Sequence, residues 1–189
     1  MLKDLVRQNR SYRRFHQEVA IDKETLRDLV DIARLTASSR NRQPIKYLLS
    51  WEPQKNALIF ANLKWAALLK EWPGPAEGER PSAYIVILQD TELGPAGSCD
   101  HGIVAQSMLL GAVEKGLGGC MLNNVNRPSL SKALNLPPKY EILLVVALGK
   151  PKEKIVIEPV KPDGDTRYWR DSEGVHHVPK RSLDEIIVS

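Results

Sequence analysis

Leu2, Leu5 and Val6 fall on one stripe at helical spacing, with Asn9 closing it, and predict a short helix over residues 2–9. Leu26, Leu29, Val30 and Ala33 repeat that spacing behind Asp22, a residue type that caps helix starts, and predict a second helix that runs out in Leu35, Thr36, Ala37, Ser38 and Ser39. IKYLLSW, residues 45–51, follows Pro44 and reads as a strand. Residues 57–72, rich in Ala, Leu and Trp, predict a helix stopped by Pro73, and PGPAEGERP is a loop. YIVIL at 84–88 is a short continuous apolar run, typical of a buried central strand, and EILLVVAL at 141–148 reads as the last strong buried strand. Between them, Asp100 is placed to cap a helix over 101–115 and Gly116 to end it. That helix carries Ala105, Ser107, Gly111 and Ala112, so another element can approach it closely. A strand over 117–122 follows, then a short helix over 128–134 with Pro128 at its first position, closed by Pro137 and Pro138.

Strand, helix, strand, helix, strand between residues 84 and 148 indicates an α/β sandwich with at least one crossover. Two helices before the first strand make the class α+β. Beyond Lys150 the texture changes: Pro151, Pro159, Pro162 and Pro179 interrupt any regular core element, and the tail reads as an extended arm over a surface, a partner subunit's included. A length of 189 residues fits one domain, 1–189.

Composition is ordinary for a globular chain, at 42% hydrophobic and 26% charged. The formal charge of +4 matters more for where it sits. Arg7, Arg10, Arg13 and Arg14 form one cluster, and Arg34, Arg40, Arg42 and Lys46 another. Both stand beside Ser, Asn and Gln, which suits a small, defined anion better than the broad, aromatic-studded basic face of a nucleic-acid binder. No apolar run approaches the roughly 20 residues that span a bilayer, and charges throughout the first twenty positions argue against a signal peptide. Cys99 and Cys120 form no CxxC pair and no zinc set, which points to a reducing compartment, the cytoplasm.

Three polar constellations could carry chemistry. NRSYRRF, residues 9–15, ends the first helix; its arginines can grip a phosphate, or simply offset the negative end of the helix dipole. SSRNRQP, residues 38–44, offers Ser38, Ser39, Asn41 and Gln43 on a loop entering a strand. GLGGC, residues 116–120, lets a ligand approach the backbone, or merely stops a helix; it is not GxGxxG and opens no helix. No Ser-His-Asp spacing, HExxH or P-loop is present. His176 and His177 are adjacent, so in an extended segment they point to opposite faces, and no metal site is expected.

The ordered set resembles the nitroreductase family of flavoproteins. Members open with R-x-S-x-[RK], continue with P-S-S-x-N-x-Q-P-W and a Gly-rich turn after a helix, and finish with a strand, G-x-P and a basic tail. Here these read NRSYRRF, ASSRNRQPI, GLGGC, ALGKP at 147–151 and VPKRSLDEII at 178–187. Asn9 stands where many relatives carry the first Arg, Ala37 replaces the usual Pro and Ile45 the usual Trp. The resemblance implies a nitroreductase-like sandwich with a central mixed sheet and an extended C-terminal arm, in a homodimer binding FMN at the interface. It implies NADH or NADPH as reductant and a nitro compound, quinone or similar small molecule as acceptor, or another flavin reaction such as dehalogenation. It assigns Arg10 and Ser11 to the phosphate and ribityl end and Arg13 to the pyrimidine edge. Ser38, Ser39, Asn41 and Gln43 would contact flavin, in part from the other subunit. Gly118 and Gly119 would bring backbone N–H groups to the ring, and Lys180 and Arg181 would return to the phosphate. No catalytic acid or base is implied. The competing class is a non-enzymatic basic α/β module that binds a phosphate-bearing ligand or nucleic acid.

Overall fold

The computed structural model describes residues 1–69 and 71–188. In chain order they form α1 (Leu2–Gln8), β1 (Phe15–His16), α2 (Lys23–Arg34), β2 (Ile45–Ser50), α3 (Pro53–Phe60), β3 (Ala83–Asp90), α4 (Asp100–Glu114), β4 (Gly118–Leu122), α5 (Arg127–Ala133), β5 (Tyr140–Pro151), β6 (Ile155–Pro159), β7 (Trp169–Arg170), β8 (His176–Lys180) and α6 (Leu183–Ile186). The class is α+β, as the sequence indicates. β5 is the central strand: it pairs antiparallel with β3, with β4 and, at its end, with β1, while β2 pairs antiparallel with β3. The expected mixed sheet is therefore corrected, because every pairing in the main sheet is antiparallel. The expected crossover is present in another form. β3 and β4 both oppose β5 and so run parallel to each other, joined through α4.

The apolar runs are explained by burial on both faces. Ile85, Ile87, Val146 and Leu148 pack with Leu26 and Leu29 of α2 and Met108 of α4, whereas Tyr84, Val86, Leu88 and Val145 pack with Ile59 of α3 and Leu130 of α5. The period of two along β3 sends alternate side chains to the two clusters. Asp22 caps α2, its carboxylate accepting the Thr25 N–H at 2.7 Å. The small residues of α4 serve this chain's own core: a Cβ on Gly111 would lie 2.5 Å from Ile32 of α2.

Four other expectations are revised. The helix expected over 57–72 begins at Pro53 and ends at Phe60; beyond it Leu63 bridges to Val125 and Lys64 donates to Asn124 O. Asp100 is the first residue of α4 rather than its cap, and its buried carboxylate accepts from Ser38 on another loop. Asn126 caps α5, leaving Pro128 one position further in than the sequence suggests. The tail is more than an arm, since β6, β8 and β7 form a second, three-stranded sheet with β6 and β8 parallel. No helix among the described residues is long and apolar enough to cross a membrane.

Candidate functional site

The segment after α1 lies along β4. Ser11 bridges to Gly119, and the Tyr12 N–H donates to Gly119 O at 3.0 Å. The glycines of β4 make room for this: a Cβ on Gly118 would stand 2.5 Å from the Tyr12 ring. The first and third sequence motifs are thus one assembly. Its anchor is Glu153, whose carboxylate is fully buried and ion-pairs with Arg170 at 2.9 Å. The same carboxylate accepts the backbone N–H groups of Arg13 and Arg14. Arg14 is fully occupied elsewhere, bidentate to Glu79 at 2.7 and 2.6 Å. Hydrogen bonds from Arg14, joined by Lys152, hold the Glu79 carboxyl down at about 2.

Arg10 and Arg13 remain available. Together with Ser11 they line a 360 Å³ cavity whose far wall is the tail, including Tyr168, His176 and Lys180. Arg10 donates to Val6 O at 2.8 Å and Arg13 to Ser11 O at 3.2 Å, and the Arg13 guanidinium lies 5.0 Å over the Tyr168 ring. Buried Nε atoms of both arginines, and Nδ1 of His176, have no hydrogen-bond partner among the described residues. Polar groups buried in that state are rare unless a ligand or water completes them. His176 is 1% exposed. Burial first, and the charges of Arg13, Arg170 and His177 next, push its pKa down to about 4, so it stands in the cavity wall as neutral imidazole.

The adjacent His177 faces the other way, as two neighbours on a strand must. Its Nδ1 lies 2.9 Å from Glu158, its Nε2 lies 3.2 Å from Asp171, and its ring stacks on Trp169 with centroids 4.1 Å apart. The Asp171 and Glu158 carboxylates raise its pKa above the usual 6.5. A raised value means that the stabilisation is complete below about 6.5 and is lost as pH rises through the folded value. His176, with its lowered value, behaves oppositely: its contribution is complete above 6.5 and fades as pH falls toward 4. Melting temperatures of the parent and of His177→Phe are accordingly expected to differ most near pH 6 and to converge by pH 9. A gap that widens with pH would sink this reading.

The second motif lies outside the arginine cavity. Ser38 and Gln43 line a separate 200 Å³ cavity with Asp100, Tyr47 and Val104. Asp100 organises the loop, accepting from Ser38 Oγ, Ser39 N and Gly97 N at 3.1 Å each. Arg40, Asn41 and Gln43 all have left-handed backbones, with φ of 54°, 54° and 51°. Each such residue stores about 1–3 kcal/mol of strain, and the surroundings must over-determine it. Ser39, Asn41 and Gln43 are exposed. Arg181 also stands apart, paired with Glu185. The structure thus gathers Arg10, Ser11, Arg13 and Lys180 in one cavity, with Gly118 and Gly119 behind them. Glu153, Tyr168 and His176 complete that site without having been singled out for it from sequence. Glu153 sits in an ordinary charge run, and nothing in its neighbours announces a partner 140 positions away.

Comparison with known proteins bears on the family and the fold. The model of the nitroreductase family matches residues 6–150. Over 74 residues, 38% of this chain and 31% of the relative, the sequence is 34% identical to an NADPH-flavin oxidoreductase of Vibrio harveyi, so the chain spans about a third of the length of this curated relative. A nitroreductase family protein of Streptococcus pneumoniae superposes with a TM-score of 0.71 at 17% identity, covering 100% of both chains. An FMN-dependent nitroreductase of Clostridium difficile gives 0.62 at 21% identity, over 79% of this chain and 87% of that one. At these identities the solved structures show a shared fold.

Proposed function

We infer the function from one premise: the chain belongs to the nitroreductase family. On it, the protein is a flavin oxidoreductase that holds FMN, uses NAD(P)H as reductant and serves a small acceptor such as a nitro compound or quinone. Bound FMN would supply the redox chemistry, taking a hydride from NAD(P)H and passing electrons to the acceptor; the protein supplies binding, orientation and electrostatics. The observation that carries this reading is the 360 Å³ cavity where Arg10, Arg13 and Lys180 converge from segments far apart in sequence, with buried Nε atoms of both arginines unpartnered among the described residues. Arg10, Ser11 and Lys180 would hold the phosphate and ribityl end. Arg13 would provide the cation for the pyrimidine edge. Gly118 and Gly119 keep the arginine segment close against β4, where backbone N–H groups near the ring would add donors.

Ser38, Ser39, Asn41 and Gln43 are proposed to serve the flavin of a second subunit. The exposure of Ser39, Asn41 and Gln43 on a strained, pinned loop supports this, as do the exposed apolar side chains Leu183, Ile186, Ile187 and Val188. A homodimer would cover both, with Arg181 brought toward the phosphate by that contact. Free Cys99 and Cys120 support a reducing compartment, the cytoplasm.

Titration with FMN tests the core of the proposal. Saturable quenching of flavin fluorescence is expected, with a yellow complex that survives desalting and sediments as a dimer. Absence of quenching at saturating FMN would return the protein to the class of basic modules, where salt-sensitive affinity for polyanions is the signature.

A further inference from the structure

We propose that the cavity between α3 and the start of β3 is a second ligand site, for a small carboxylate borne on a flat apolar body. It measures 280 Å³ and shares no lining residue with the arginine cavity. Trp51, Phe60 and Tyr84 give it aromatic walls, and Asn56, Arg80 and Ser82 give it polar ones.

The polar inventory is what identifies the ligand. Both polar atoms of Asn56 are engaged, its Oδ1 accepting from Ser50 Oγ at 2.8 Å and its Nδ2 donating to Ser82 O at 2.7 Å. Gln17, on the rim, is committed too: its Oε1 accepts the N–H groups of Gly78 and Arg80, and its Nε2 donates to Glu77 at 2.6 Å. Three buried atoms remain without a partner among the described residues: Arg80 Nε, Ser82 Oγ and Tyr84 Oη. Tyr84 is 1% exposed, and burial drives its pKa far above the ordinary phenol value, so the hydroxyl keeps its proton. An arginine Nε can only donate, and both hydroxyls can. Three such donors on residues that line one cavity call for a ligand that brings acceptors.

Charge selects among acceptors. Arg80 and Glu77 are the charged residues in the lining. They pair at 2.7 Å, but the Glu77 side chain is 71% exposed, and an exposed pair of this kind holds its cation weakly. An incoming carboxylate can therefore share the guanidinium, which lies 4.4 Å over the Phe60 ring. The aromatic walls account for the remainder of the ligand, an unsaturated ring or similar plane.

Benzoate is a suitable probe, with benzyl alcohol as the uncharged control of similar shape. Calorimetric titration of the purified full chain is expected to show saturable benzoate binding, with benzyl alcohol at least about tenfold weaker. Tyr84→Phe should weaken benzoate about tenfold, the usual scale for one hydrogen bond to a charged acceptor. The same change should leave the melting temperature of the unliganded protein unchanged or raised, because it deletes a buried hydroxyl that has no protein partner. Arg80→Gln should abolish binding. Absence of benzoate binding overturns the proposal. So does an affinity that survives both substitutions, which would place benzoate elsewhere, and so does a Tyr84→Phe protein that melts lower without ligand, which would mean the hydroxyl already has a partner.

Discussion

Replacing Glu153 by alanine is expected to destabilise the protein by about 3–5 kcal/mol, the range for breaking one side of a buried ion pair. The carboxylate is fully buried and its partner Arg170 only 15% exposed, so the guanidinium would be left as an uncompensated charge against the Trp72 ring. The damage goes further, because the N–H groups of Arg13 and Arg14 lose their acceptor in the same step. For a chain of this size, roughly 2–4 °C per kcal/mol puts the loss in melting temperature near 10 °C. Glu153→Gln keeps an oxygen for the backbone groups but not the charge, and is expected to fall between alanine and the parent. A calorimetric scan of Glu153→Ala within about 2 °C of the parent would show that Glu153 is not the anchor described above.

Arg13→Ala is expected to slow reduction of bound FMN by NAD(P)H about a hundredfold, while weakening FMN itself by less than tenfold. The Arg13 charge is held in place by Ser11 O and by the Tyr168 face, so it needs no rearrangement when negative charge grows nearby. Such a group acts mainly on the charged state, and only that difference accelerates the step. A single preorganised donor of this kind is worth about 10²–10³ in rate. Stopped-flow reduction and an FMN titration of the same variant separate the two effects. Equal losses in both would reassign Arg13 to simple binding, and an unchanged reduction rate would move the pyrimidine role to another residue.

Local signals in the sequence carried far where one segment's fate depends on itself. Asp22 and the stripe Leu26, Leu29, Ala33 define α2 without outside help, and the apolar runs 84–88 and 142–148 read as strands covered on both faces, as they are. The reading failed where distant contacts outweigh local preference. Residues 61–69 have a helical composition, yet Trp65 is buried against Phe60 and the turn at Gly74, whose φ of +112° lets it lie against the indole. Backbone pairing of Leu63 with Val125 then precludes a continued helix. The tail misled for a related reason. Its prolines suggest interruptions, but Pro159 and Pro179 sit at or near the ends of β6 and β8, in a parallel pairing that tolerates a missing donor there. At the candidate site, clusters of like residues were visible from spacing alone, as with Arg10, Arg13 and their neighbours. Single residues whose meaning comes from a remote partner, Glu153 and His176, were not.

The distance along the chain between Arg13 and Glu153, 140 positions, has a consequence for biosynthesis. Synthesis proceeds at about 5–20 residues per second, so the arginine segment waits on the order of ten seconds before its anchor is made. β5, the centre of the main sheet, and the tail that walls the cavity are likewise made long after the arginine segment. The cavity is therefore completed only once Lys180 has been made, and capture of the proposed cofactor can only follow that step. A ribosome stalled before residue 153 would carry a chain whose first two helices are made, but whose cofactor cavity has neither its anchor nor its far wall.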